Sequence, residues 1–508
     1  FYCDTTAPVS VITSPTTGLK LNSLTMITGT ANGRLAGLAR VEVQVSSWSG
    51  SAIGWTVISD GGNDWRKATS GDSTGYGNIT TTWYYTLPGG TLSDGTTYQV
   101  VSRSSDTAHN IELVTSTITF FYDTTIPEVK ISTPGAGWYY GNNRQLSMIA
   151  GTSKDNGWSV SGISRVEIQV SSGTSPVSYY HPGINGWVVN TSSWVRVSGT
   201  NDWTYTLGVT PWVDGQLFKV ESVAYDVSGN TATVVYSTFT YDTTLPISSY
   251  TVPDINQYYI ISLTQLSGTG IDTNLDIVEL AISSGASAAG NVWWNWSGSF
   301  NNAAPVWQLP TGPYTGWAQS ANIPVWVSGT VYRLYSRAKD LAGNYEIPVN
   351  TRTFVIDTTS PVAKINLPQE GINASINSLP QLTGTASDNV GLNRVELRLR
   401  HLGLSVYWSN GINDWDANMV SSAAWFSYST MNYNGDWTLW RTTFTSGGSD
   451  RWQNGYKYRA EVRAYDKTNV LYDVTTSTSE FIYDKDKTRM AVSLPGGSAY
   501  CSQLPTIS

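Results

Sequence analysis

The sequence predicts an all-β chain made of about four two-sheet sandwich domains in tandem. Three observations predict it: a repeat period near 119 residues, strand-length alternation inside each period, and a composition rich in strand and turn formers. The chain has 508 residues, with 47 Gly, 20 Pro, 22 Trp and 30 Tyr, and only 13% charged residues. That length exceeds what one core serves and suits three to five ordinary domains. Helix-forming runs of Ala, Glu, Lys and Leu are absent.

The period is marked by an aromatic strand end running into Asp-Thr-Thr-x-Pro, with aspartates at Asp4, Asp123, Asp242 and Asp357 and a degenerate copy at Asp484. The spacings are 119, 119, 115 and 127 residues. Proline fixes its own φ and holds its predecessor extended, so this stretch reads as a short, stiff linker. Next in each unit comes a Gly-Thr pair, at Gly29, Gly151, Gly268 and Gly384. A strictly alternating strand follows, beginning at Arg40, Arg165, Ile277 and Arg394. Alternation puts Val41, Val43 and Val45 on one face and Arg40, Glu42 and Gln44 on the other, as in a half-buried antiparallel strand. A Trp-rich middle follows, with Asn-Asp-Trp at Asn63, Asn201 and Asn413. Each unit closes with another alternating strand and a turn that starts at Asp106, Asp226, Asp340 or Asp466. The Gly and Asn residues of those turns suit positive φ.

These landmarks divide the chain into residues 1–3, the end of a preceding repeat; 4–122, 123–241, 242–356 and 357–483, four complete units; and 484–508, the start of a fifth. About 119 residues can bury a self-sufficient core, so the units are expected to stack as beads rather than as a solenoid. Because Phe1-Tyr2-Cys3 matches the tail of a last strand, the natural polypeptide is expected to continue on at least one side.

The linker Asp-Thr-Thr-x-Pro, together with Asp226-Val227-Ser228-Gly229-Asn230 and Asp340-Leu341-Ala342-Gly343-Asn344, resembles the bacterial Ig-like repeats of large adhesins and extracellular structural proteins. The resemblance covers essentially the whole chain. It implies tandem immunoglobulin-like β-sandwich domains in an elongated array, at a bacterial cell surface or outside the cell. In such arrays linker and turn aspartates can hold interdomain Ca²⁺. The long Trp-rich middle and the turn at Asp466, which is shorter, depart from the family pattern.

The net charge of −8 and the lack of Lys/Arg clusters argue against nucleic acid and anionic membrane as main partners. No run of 18 apolar residues is present, so no membrane-spanning helix is expected. Only three histidines occur, His109, His181 and His401, at non-equivalent positions, and no nucleophile or zinc motif accompanies them. The expectation is a non-enzymatic chain. Lys130 and Lys364 hold equivalent positions, but the closing strands of their units offer no Asn for an isopeptide bond, so both are read as solvent-facing.

Calcium is the metal to weigh, because carboxylates suit a hard ion. The candidate pairs join each closing turn to the next linker: Asp106 with Asp123, Asp226 with Asp242, and Asp340 with Asp357. The rival reading has each Asp capping its own turn through backbone amides. Among the tryptophans, Trp293, Trp294 and Trp296 are the densest cluster; they are read either as sugar-stacking or contact rings, or as packing. Strict alternation puts Trp294 and Trp296 on opposite faces from Trp293.

Cys3 and Cys501 are the only cysteines. Four domains in line separate them by well over ~100 Å, whereas a disulfide needs Cα atoms within about 7 Å. The expectation is a bond from Cys3 of one copy to Cys501 of the next, or to uncovered flanks, in an oxidising exterior; two unrelated thiols are the alternative. Taken together, the reading is a structural subunit of an extracellular filament, sheath or surface layer that self-associates, with a glycan or protein of the cell surface as further partner. The alternatives are an adhesin stalk, or a carbohydrate-binding accessory region of a secreted enzyme.

Overall fold

The computed structural model describes residues 3–486, apart from 50–53, 59–64, 73–74, 174–175, 208–211, 286–291, 370–373, 428, 447–448 and 474–475. Cys501, Asn63 and most of the fifth repeat therefore lie outside the described residues. The chain falls into two compact units. One runs through Leu245 and includes Lys339–Tyr345; the other holds Pro246–Ala338 and the chain from Glu346 onward.

The first repeat shows the plan. Its strands are β1 (Val9–Ser14), β2 (Leu19–Leu21), β3 (Met26–Asn32), β4 (Leu38–Trp48), β5 (Trp55–Val57), β6 (Arg66–Lys67), β7 (Thr69–Ser70), β8 (Thr80–Thr86), β9 (Thr96–Asp106) and β10 (Ser116–Tyr122). One sheet has the order β1-β3-β8-β7; the other has β2-β10-β9-β4-β5, with β6 beside β4. All neighbours are antiparallel except β2, which runs parallel to β10. The first stretch of chain thus leaves one sheet to join the edge of the other, as in immunoglobulin-like sandwiches.

The second repeat follows the plan with β11 (Glu128–Thr133), β12 (Trp138–Tyr140), β13 (Met148–Lys154), β14 (Ile163–Ser172), β15 (Ser178–His181), β16 (Gly186–Val189), β17 (Val195–Arg196), β18 (Asp202–Thr206), β19 (Gln216–Asp226) and β20 (Val235–Tyr241). Its sheets are β11-β13-β18 and β12-β20-β19-β14-β15-β16. The other compact unit carries two further pairs of sheets, one pair per repeat, on the same plan.

The cores explain two landmarks. Val41, Val43 and Val45 are buried, as their alternation predicts. Each Gly of the Gly-Thr pairs lies directly opposite a tryptophan of the next strand: Gly29 by Trp83, Gly151 by Trp203, Gly268 by Trp317 and Gly384 by Trp440. All four indoles are among the largest fully buried side chains. A Cβ on any of these glycines would meet the ring at 2.2–2.3 Å. The glycine is therefore the space into which the indole packs, and an indole buries more apolar area than any other side chain.

The Asn-Asp-Trp triplets, in contrast, are not one element. Trp203 is the core indole of β18, Trp65 stacks outside on Arg103, and Trp415 lies in a strand at the edge of the large sheet of the fourth repeat. The triplet therefore does not mark a fixed place in the repeat. The outer faces carry their own tryptophan clamp instead. Trp65, Trp307 and Trp425 lie over Arg103, Arg337 and Arg463 at 3.9, 4.0 and 4.2 Å, and those arginines pair with Glu42, Glu279 and Glu396.

Candidate functional site at the head of each repeat

The turn after β19 explains its own sequence. Asp226 accepts the backbone N–H of Asn230 at one carboxylate oxygen and the Asn230 side-chain amide at the other. The same amide donates to the backbone carbonyl of Asp123 at 2.8 Å. The closing turn is thereby tied to the linker that opens its own repeat. Asn110 ties Asp106 to Asp4 in the same way, and Asn344 ties Asp340 to Asp242. Gly229 and Gly343 take positive φ in these turns, and His109 takes it in the first repeat.

The expected pairs are thus displaced by one unit. Asp226 meets Asp123 and not Asp242; Asp106 is tied to Asp4, and Asp340 to Asp242. The reason is topological. The last strand runs away from the closing turn, so a seven-residue strand such as β10 puts about 23 Å between that turn and the following linker.

A third carboxylate joins the second repeat. Asp155, just after β13, offers an oxygen within 4.8 Å of oxygens from Asp123 and Asp226, and all three residues are buried. Asp155 Oδ2 accepts the N–H of Gly162 at 2.6 Å and the Ser161 hydroxyl at 3.3 Å, while its Oδ1 is buried with no partner. Asp123 accepts the N–H groups of Ser161 and Thr125. Burial raises the Asp155 carboxyl above its usual range, and the charges of Asp123 and Asp226 raise it further.

The fourth repeat carries Asp357, Asp388 and Asp466 at the equivalent positions, near enough to influence one another's charge. Asp357 Oδ2, Asp388 Oδ1 and Asp466 Oδ2 are all buried without a partner. Burial pushes Asp357 up, with Asp388 and then Asp466 adding to it; burial also pushes Asp466 up, with Asp388 adding. Asp340 is raised by burial and by Asp242. Asp272 holds the third position in the sequence of the third repeat. The first repeat has Gly33 there, where a Cβ would meet the backbone of Gly37 and Leu38 at 2.4 Å. Converging carboxylate oxygens with unmet lone pairs are the donor set of a hard divalent cation. The third aspartate was missed in the sequence because it stands alone, three residues after the Gly-Thr pair of the second, third and fourth repeats, and in the second repeat only folding brings it to the other two.

The Thr-Thr of the linker faces backward. Asp94, in the first repeat, accepts the N–H and hydroxyl of Thr124 at 2.5 and 3.0 Å and those of Thr125 at 3.2 and 2.6 Å. Asp214 holds Thr243 and Thr244 alike. Burial alone would raise Asp94, but these hydrogen bonds outweigh it and hold the carboxyl below its usual range. Between the third and fourth repeats the clasp is neutral: Ser328 accepts from the Thr358 N–H and the Asn389 amide.

The remaining sequence candidates separate. Trp294 and Trp296 belong to the core of the third repeat, where their indole N–H groups donate to the carbonyls of Asn322 and Val306. Only Trp293 is left partly exposed, beside Tyr335 at 4.8 Å. The three rings therefore present no shared stacking platform. Their faces follow the expected alternation, Trp294 and Trp296 on the side opposite Trp293. Lys130 is exposed and pairs with Glu128, and Lys364 is exposed. His401 is buried among Trp415, Tyr456 and Tyr458, His181 bonds the Thr191 carbonyl, and His109 lies in its turn. Cys3 is exposed.

No protein-family model matches the chain, and no curated protein matches it. Solved structures similar to it include fibronectin modules and an adhesin region. The fibronectin(III)-like modules of Clostridium thermocellum CbhA are 16% identical, covering 46% of this chain and 95% of theirs, with a TM-score of 0.25. The FN1–FN3 domains of chicken CNTN1 are 12% identical over 69% of this chain and 98% of theirs, TM-score 0.24. The sialic acid binding region of a Streptococcus sanguinis SK1 adhesin, bound to 3'sLn, is 12% identical over 75% of this chain and 84% of its own, TM-score 0.19. The chain is a tandem array of immunoglobulin- or fibronectin-III-like sandwich modules, on the strength of its own strand order. None of these likenesses carries a ligand or an activity across.

Proposed function

We propose that the chain is a non-enzymatic structural segment of a bacterial extracellular filament, sheath or surface layer, and that divalent cations, Ca²⁺ first, set the stiffness of its junctions. One observation carries the reading: the linker between the first and second repeats is held from both sides. Asp123 faces Asp155 and Asp226 of the repeat it opens, and Thr124 and Thr125 face Asp94 of the repeat they leave. An array whose joints are specified this closely suits a load-bearing or spacing role. A spacer in an adhesin stalk uses the same joints, and assembly separates the two readings. The exposed Cys3 supports assembly by an intermolecular bond to Cys501.

The test is negative-stain imaging of purified protein with Ca²⁺ and with chelator, next to non-reducing electrophoresis. Ordered polymers, and a ladder that collapses on reduction, support the filament reading; isolated rods support the stalk. Particles whose bend angles are equally broad with and without Ca²⁺ would remove the cation from the junctions.

A further inference from the structure

The outer face of the large sheet in the second repeat carries a polar row that is only partly satisfied within the chain. Register places Gln169 of β14 opposite Glu221 of β19, and Ser171 opposite Lys219; on the far side of β14, Ser171 also faces Tyr179 of β15. Ser171 is small and its neighbours are large, so the row sinks into a groove of about 330 Å³ with Tyr179 on one side and Lys219 and Leu217 on the other. At its end the Gln169 amide donates to Glu221 Oε2 at 2.7 Å, and Lys219 pairs with Glu221 Oε1. Gln169 Oε1 is left without a partner in a residue only 8% exposed. That oxygen is an acceptor left open to a donor from outside the chain.

The other repeats carry different pairs at the same row. In the fourth, Arg398 takes both oxygens of Glu461, at 2.7 and 2.9 Å. In the third the row holds Ala281 and Tyr335, and in the first Gln44 and Val101. Among the described residues the Gln–Glu–Lys arrangement occurs in the second repeat, so it is not a demand of the sandwich.

We propose that this groove binds a neutral, hydroxyl-rich chain, a stretch of polysaccharide. A hydroxyl both donates and accepts, so one group can give its proton to Gln169 Oε1 while its neighbour accepts from Lys219 Nζ. The Tyr179 ring and Leu217 offer apolar surface to the C–H face of a sugar ring. An anionic ligand would meet Glu221, and a purely apolar one would leave Gln169 unmet. The site is separate from the carboxylate clusters and needs no cation.

The test is calorimetric and NMR titration of the full chain with cellohexaose, chitohexaose and maltohexaose in the presence of chelator. At least one is expected to bind, with shifts confined to β14, β15 and β19. Tyr179→Ala and Lys219→Ala, both at the surface, are each expected to weaken binding tenfold or more with unchanged thermal melting. Absence of binding by all three sugars, or binding that survives both substitutions, overturns the proposal. So does sugar-independent self-association that Lys219→Ala abolishes, which would assign the face to a second copy of the chain.

Discussion

The heads of the first and second repeats are built on the same plan and differ in their carboxylates. Both tie the closing turn to the linker through an asparagine, Asn110 or Asn230, and both seat the linker carboxylate on backbone N–H groups. The second adds Asp155; the first has Gly33 in that place, and Asp4 takes the N–H of Ala36 instead. The lesson is that the asparagine staple suffices to build a head. The third carboxylate is an addition that raises the repulsion within the site, and it repays that cost only if a cation sits there.

The frame shared by the two repeats should respond equally to damage. Trp83→Ala and Trp203→Ala are each expected to cost about 3–5 kcal/mol, read repeat by repeat in the full chain by hydrogen exchange. A large difference between the two would show that the sandwiches are not equivalent frames, and the comparison of their heads would lose its basis.

The next largest effect separates the heads. Calcium at a hundredfold excess over its dissociation constant should protect the second repeat by roughly 2.7 kcal/mol and leave the first unmoved. Asp155→Asn should abolish that protection. Equal protection of both repeats would place the ion elsewhere.

In chelator the sign reverses. Asp155 has a folded pKa above its unfolded one, so the folded state holds that proton more tightly. The second repeat should therefore lose stability as pH rises from about 4 through the raised folded value. Asp155→Asn, which removes the charge, should stabilise the cation-free repeat by on the order of 1 kcal/mol and flatten that slope. A cation-free repeat that gains stability over this range would refute the repulsion.

The smallest effect comes from the clasp. Asp94 is depressed, so its contribution is present above the unfolded pKa and lost as pH falls through the folded one, opposite in sign to Asp155. Asp94→Asn keeps the shape and loses the charge. It should cost less than about 1 kcal/mol and should loosen the first junction, seen as faster exchange at Thr124 and Thr125.

The sequence by itself determined the module, its period and its strand pattern, because alternation and turn chemistry are local and recur four times in phase. It also named the aspartates of linker and turn. Which of them meet was decided only by the tertiary structure. An intervening strand carries the chain away from each closing turn, so Asp226 faces Asp123, about a hundred residues earlier, and not Asp242 close ahead. Two sheets folding together also brought in Asp155 and left Gln169 Oε1 without a donor. Those outcomes depend on contacts between residues far apart in the chain, and no local pattern encodes them.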